Sequence, residues 1–263
     1  MNLKNNNITY QMIFGGVSGL VEHTLSFIPR NILDFIQINK KINIYSIIKK
    51  AYITNNFTRF TNGYFPMISC VCFAHINLFY FYEKSKLEKE NYMIFLNGVL
   101  GKIGHDIILC PGDTIRCHCN ILNINCFNAT KNIIKSGSLG FFNGLPSSLM
   151  MSTLGGGLEI LFLSKFNKII DNQEISLMTY FPGFFAGFCT SVILSPIDMI
   201  KTQMQLRNTK VINKKIENHY LLLKDNYKNL GIKGLFRGSG LRGLQSGICF
   251  GTYETLNILF LKS

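Results

Sequence analysis

Residues 195–205, Ser195-Pro196-Ile197-Asp198-Met199-Ile200-Lys201-Thr202-Gln203-Met204-Gln205, follow an apolar run from Phe184 to Leu194 and set an acid, then a base, downstream of a proline. Proline lacks a backbone donor and crowds the preceding turn, so the stretch predicts a kinked helix. Asp198 and Lys201, three residues apart, share one face of that helix. The same wording recurs as Cys110-Pro111-Gly112-Asp113-Thr114-Ile115-Arg116 and, more loosely, as Ile28-Pro29-Arg30-Asn31-Ile32-Leu33-Asp34. Three occurrences spaced by about a third of the chain define an internal repeat.

Outward from each signature, every third reads alike: an apolar helix through the proline, a basic loop with a short amphipathic segment, a glycine-closed turn and a second apolar helix. The long helices are predicted over 10–39, 64–86, 92–122, about 145–167, 176–206 and from Gly238 to about Leu261. The turns fall at Asn62-Gly63, Phe142-Asn143-Gly144 and Phe236-Arg237-Gly238, and the repeats at 1–90, 91–172 and 173–263. Helices of roughly 20 to 30 residues can span a bilayer even when tilted. The expected fold is an all-α membrane protein, six transmembrane helices forming three tandem helix-pair repeats with pseudo-threefold symmetry around a central cavity. Glycine pairs in the odd helices, Gly15 and Gly19, Gly98 and Gly101, Gly183 and Gly187, predict close helix approach.

Composition agrees with a membrane location: 47% hydrophobic against 16% charged residues, and a mean hydropathy of +0.20. Glu22, His23, His75, His105 and Asp106 interrupt apolar segments, where ionisable groups belong on a bundle interior or a wet cavity. The net charge of +13 does not form a nucleic-acid stripe. Its lysines cluster after each signature, at Lys40, Lys41, Lys49 and Lys50, at Lys131 and Lys135, and at Lys210, Lys214, Lys215, Lys224 and Lys228, which suits an anionic lipid surface. The eight cysteines show no secreted-framework spacing. Cys117 and Cys119 point in different directions on a helix, so packed free thiols are expected rather than a zinc shell. No nucleophile sits beside a base in a recognisable motif and no phosphate-cradling loop is present, so neither catalysis nor a cofactor is expected. Met1–Tyr10 has no signal-peptide or transit-peptide pattern, so any import signal is expected to be internal.

With these residues in view, the chain resembles the mitochondrial carrier family over nearly its whole length. Pro196, Asp198, Lys201 and Gln205 fit the family's P-x-[DE]-x-x-[KR] signature and its following glutamine; Pro111, Asp113 and Arg116 fit the charged part. The resemblance implies helices kinked at Pro29, Pro111 and Pro196 and an inter-repeat salt-bridge ring closing the matrix side. It also implies an inner-membrane location with both termini in the intermembrane space, a monomer, and cardiolipin at the matrix loops. Glu83 and Lys86, with a partial match at Glu254, resemble the family's cytosolic-side gate. The first signature departs. Counted from Pro29, Asn31 takes the acid slot and Asp34 the base slot; counted so that Gln37 matches Gln205, Arg30 and Leu33 take them. Either register leaves Asp113 with Lys201 as the one clearly complementary pair, a weak gate, and an Asp198 facing no base; Asp34→Lys is then expected to restore the ring and slow transport.

Four local patterns point to a subfamily: Gly19-Leu20-Val21-Glu22-His23, Phe73-Ala74-His75, Gly104-His105-Asp106 and Met150-Met151-Ser152. In order on four successive helices they resemble mitoferrins, the mitochondrial iron carriers. Ferrous iron accepts imidazole and carboxylate, and thioether as a softer ligand. His23, His75, His105 and Met151 are therefore the expected ligands of transported iron, with Glu22 and Asp106 as supporting carboxylates. Arg242 matches the family's substrate-contact level and favours an anion or carboxylate instead. That leaves two rivals, an organic-metabolite carrier such as one for S-adenosylmethionine, and a degenerate scaffold that does not transport.

Overall fold

The computed structural model describes residues 2–38, 44–54, 57–86, 90–169, 180–206, 209, 218–248 and 251. These are helical nearly throughout, and no strand occurs among them. The first odd helix comprises α1 (Asn2–Leu25) and α2 (Phe27–Ile38), interrupted at Ser26. Bonds from Ser26 N to Glu22 O (2.9 Å) and from Arg30 N to Ser26 O (3.0 Å) carry the i→i−4 ladder across the interruption. Pro29 thus lies in the first turn of α2, where a missing N–H is tolerated. The other two signatures lie inside single helices, Pro111 in α5 (Asn91–Leu122) and Pro196 in α8 (Tyr180–Gln205).

The partner helices are α4 (Tyr64–Lys86), α7 (Leu145–Ile169) and α10 (239–248). Between odd and even helices lie α3 (Ile44–Ile53), α6 (Cys126–Lys135) and α9 (His219–Leu235), the amphipathic segments expected after each signature. Asn125 and Asn218 cap the starts of α6 and α9, accepting from the backbone N–H of Asn128 and Tyr220. Lys49, Lys50, Lys131, Lys135, Lys224 and Lys228 are exposed on these short helices. Lys40, Lys41, Lys210, Lys214 and Lys215 lie outside the described residues.

Burial is inverted relative to a water-soluble protein. Arg30, Asp34, Asp106, Asp113, Arg116 and Asp198 are buried, while Val17, Val21, Phe65, Phe73, Leu96, Ile107, Phe181 and Ile193 face outward. Buried charge with an apolar exterior is what a bilayer demands, because the polar groups must find partners inside the bundle. Phe57–Phe81 and Tyr180–Gln205 are, among the described residues, long and apolar enough to cross a membrane.

α4 packs between α1 and α5, and α7 between α5 and α8. The three glycine-closed turns make this order cyclic. A Cβ on Gly63 would meet Arg116 Cα on α5 at 2.6 Å, one on Gly144 would meet Gln205 Cγ on α8 at 2.7 Å, and one on Gly238 would meet Leu33 Cδ1 on α2 at 2.5 Å. Each repeat's turn therefore abuts the odd helix of the next repeat, and the third closes on the first. Gly63 also has φ +84°, in the left-handed region that a side chain strains. Gly63→Ala is expected to lose about 1–3 kcal/mol from backbone strain alone, with displacement of α5 beyond that; thermal unfolding of the purified variant measures it.

Close approach holds at Gly15 and Gly19, which meet Phe79 and His75 of α4, and at Gly101, which meets Phe81. Gly98 is a correction: nothing lies within 4 Å of a Cβ built there, because that turn of α5 faces outward. The described cysteines are free. Cys117 belongs to the apolar core with Phe35, Phe60 and Leu206, while Cys119 and Cys126 Sγ lie 3.7 Å apart.

Candidate substrate site and gate

His23 on α1, His75 on α4 and His105 on α5 converge, although 52 and 30 residues separate them along the chain. One ring nitrogen from each lies within 4.8 Å of the others. The rings meet edge to face, with centroids 5.4 Å apart for His23 and His75 and 5.0 Å for His75 and His105. Gly19 makes this possible, because a Cβ there would fall 2.3 Å from the His75 ring. Both nitrogens of His75 and Nδ1 of His23 are buried without a hydrogen-bond partner. Leaving such groups unpaired is costly, so a ring aimed into a polar cluster with no protein partner marks a place for a ligand.

His105 is held differently. Its Nδ1 lies 3.1 Å from Asp106 Oδ1, and Ser152 on α7 donates to Asp106 Oδ2 at 2.6 Å. This fixes the imidazole and leaves Nε2 for the cluster, the way a supporting carboxylate orients a metal-binding histidine. Glu22 Oε1 lies 4.0 Å from His23 Nε2. Met151 is half-buried next to Ser152. Successive helical residues diverge by about 100°, so Met151 leaves α7 in a different direction from Ser152, which meets Asp106. Nitrogens bound to one first-row metal ion at about 2.1 Å can be no more than about 4.2 Å apart. The histidine trio is thus somewhat open and would tighten on a cation, a looseness that suits release as much as capture.

About two helical turns further along α2, α5 and α8 lies a buried polar network. Asp113 is its hub. Its Oδ2 accepts from Arg30 Nη2 (3.0 Å), Lys201 Nζ (3.0 Å) and Gln205 Nε2 (2.9 Å), and its Oδ1 from Arg116 Nε (2.9 Å). Arg116 Nη1 reaches Asp34 Oδ2 at 2.7 Å and also donates to Asn31 Oδ1. Asn120, nine residues past Pro111 as Gln205 is past Pro196, donates to the backbone oxygen of Asn31 and to Asp34.

The pairing differs from the sequence expectation at three points. Asp113 with Lys201 forms as expected, but Asp34 occupies an acid's place, bound to Arg116. Asp198 is not isolated: Gln37 donates to its Oδ2 at 2.8 Å, and Arg242 Nε from α10 stands 3.6 Å away, an ion-pair distance without a hydrogen bond. Arg242 therefore sits against the gate end of the cavity. The network is also buried, so the small worth of a solvent-exposed pair does not measure it; breaking a buried pair typically costs about 3–5 kcal/mol. The reason is geometric. Spacing along one helix orders its own side chains but not those of its neighbours, and the first signature places Arg30, Asn31, Asp34 and Gln37 where they serve two partners at once.

Asp34→Lys consequently has the opposite expected effect to ring repair. It adds a fifth cation to a network that already holds Arg30, Arg116, Lys201 and Arg242 and removes Arg116's carboxylate, so the unfolding midpoint is expected to fall by about 10 °C in a thermal-shift measurement. Beyond the hub, Thr202 donates to Gln37 Oε1 (2.6 Å), Gln203 to the backbone oxygen of Gln37 (3.1 Å) and Asn226 to Gln203 (2.8 Å), which ties α2, α8 and α9 together. Asn120, Gln203 and Asn226 were not singled out by the sequence motifs, and Arg30 entered only as a base in an acid's slot; for Asn120 the signal was available in its shared offset from the proline. The side chains of Glu83 and Lys86, and all of Glu254, lie outside the described residues.

The comparisons with known proteins agree with this architecture. Residues 175–263 match the family model described as mitochondrial carrier protein. The chain is similar to the mitochondrial glycine transporter of Xenopus tropicalis, 31% identical over 127 residues, 45% of this chain and 40% of the relative. It is 25% identical over 187 residues to mitochondrial ornithine transporter 1 of Saccharomyces cerevisiae, covering 65% of this chain and 64% of the relative. To the mitochondrial thiamine pyrophosphate carrier 1 of the same yeast it is 27% identical over 198 residues, covering 68% of this chain and 62% of the relative. The matched stretches span less than two thirds of each relative's length. Residues 175–263 are thus similar to a mitochondrial carrier domain, and the described residues around them are all-α.

Proposed function

We propose that this protein is a carrier of the mitochondrial inner membrane that moves ferrous iron into the matrix by alternating access. The observation that carries this reading is the convergence of His23, His75 and His105 with unpaired, buried ring nitrogens. Imidazoles supported by Asp106 form a donor set suited to a first-row dication, and their loose geometry favours passage over permanent retention. With the signature end closed by the Asp113 network, the dication would enter from the opposite side. It would then leave once those buried pairs separate. A membrane potential of 100 mV, negative inside, draws a dication inward by about 4.6 kcal/mol, so no exchanged counter-substrate is required.

A second reading, an organic-solute carrier, is favoured by the relatives named for glycine, ornithine and thiamine pyrophosphate. Arg242, with an Nε not hydrogen-bonded, would be its carboxylate contact. Uptake by reconstituted liposomes separates the two: saturable ferrous iron entry that depends on the histidines supports the first, and iron-insensitive entry of a labelled metabolite the second.

A further inference from the structure

Among the pairs described in the gate, Arg30, Arg116, Lys201 and Arg242 face Asp34, Asp113 and Asp198. The network is one positive charge in excess, and Asp113 is overcommitted, since one of its oxygens serves Arg30, Lys201 and Gln205 together. Arg116 keeps Asp34 and Asn31 if it loses Asp113. The Arg30 ion pair, by contrast, is with Asp113.

Arg30 is also nearer the histidine trio along its helix than Arg116, which follows His105 by eleven residues. Arg30 follows His23 by seven residues, two turns, so the two side chains fall on one face about 10 Å apart along the axis. The backbone ladder carried across Ser26 keeps that register. Both residues are buried, which leaves the field between them weakly screened.

We infer that Arg30 makes the gate responsive to the charge of the cargo: a cation held by His23, His75 and His105 repels Arg30, loosens its pair with Asp113 and so promotes opening of the signature end. A neutral solute at the same place would leave the closed network as it stands. Arg30 is thus a specificity-determining residue that never touches the cargo. The inference rests on the proposed binding of a metal cation at the trio.

The test uses the full-length protein in nanodiscs with Co(II) as probe. Binding is read by visible absorption, and gate opening by hydrogen–deuterium exchange of peptides covering 111–122 and 196–206. Saturating Co(II) is expected to speed exchange in these segments of the wild type by about tenfold. In Arg30→Gln the Co(II) affinity is expected to rise by about tenfold, the reciprocal of the coupling, with exchange already raised without metal and little further response. Arg30→Lys, which keeps the charge, is expected to respond as the wild type does. Co(II) binding to the wild type without faster exchange overturns the role of Arg30 while sparing the metal site. So does an undiminished response in Arg30→Gln, or loss of the response in Arg30→Lys. Failure of the wild type to bind Co(II) overturns the metal reading and this inference with it.

Discussion

His75→Phe is expected to reduce saturable ferrous iron uptake into liposomes by about a hundredfold or more, since even the loss of an outer-shell partner costs 10–100-fold at metal sites. Phenylalanine is the informative replacement. It keeps a flat ring against Gly19, where the two helices touch closely, and removes both nitrogens. Because neither nitrogen has a hydrogen-bond partner in the protein, the substitution breaks no internal bond, and the unfolding midpoint is expected to stay at or slightly above that of the wild type. A stable protein that no longer carries iron assigns the nitrogens to cargo. If uptake is unchanged, the trio is a packing cluster. His75→Ala is a poorer probe, because it opens a cavity beside Gly19 and mixes lost packing with lost ligation.

Asp113→Asn is expected to be the most destabilising single change in the gate. It leaves Arg30, Lys201 and part of Arg116 buried without their shared anion, and uncompensated buried charge costs about 3–5 kcal/mol per broken pair. At roughly 2–4 °C per kcal/mol for a chain of this size, the loss of one such pair lowers the midpoint by about 10 °C, and the loss of several by more. Asp198→Asn makes a useful contrast. Its carboxylate accepts from the neutral amide of Gln37 and stands 3.6 Å from Arg242, so the amide replacement keeps more of the local bonding. A clearly smaller loss is expected in a thermal-shift comparison of the two variants. Equal losses would show that Asp113 is not the hub.

The helices were legible because the proline signature recurs and a glycine turn follows each time; α4 begins at Tyr64 and α5 ends at Leu122 where the pattern put them. The break at Ser26 was not legible, since nothing in Leu25-Ser26-Phe27 stops a helix by composition. The histidines could be named from local patterns, but their proximity could not, because it depends on Gly19 letting α4 come close and on Asp106 fixing the ring of His105. The gate was the least legible part. Asp34 looked like a misplaced acid until α5 placed Arg116 against it, and Arg30 stood outside both readings as a base until the fold set it on Asp113. Which cation meets which anion is decided by the azimuth of neighbouring helices, which linear spacing does not encode.

The most direct test of the account is uptake by liposomes carrying the purified wild-type protein, with an inside-negative potassium diffusion potential. Ferrous iron is offered alone, in competition with manganese, zinc and copper, and beside labelled glycine, ornithine and S-adenosylmethionine. The account predicts saturable, potential-driven iron entry that the organic solutes do not inhibit and that disappears in His75→Phe. Entry of a labelled organic solute at a rate indifferent to iron, with no iron entry above protein-free liposomes, would contradict it.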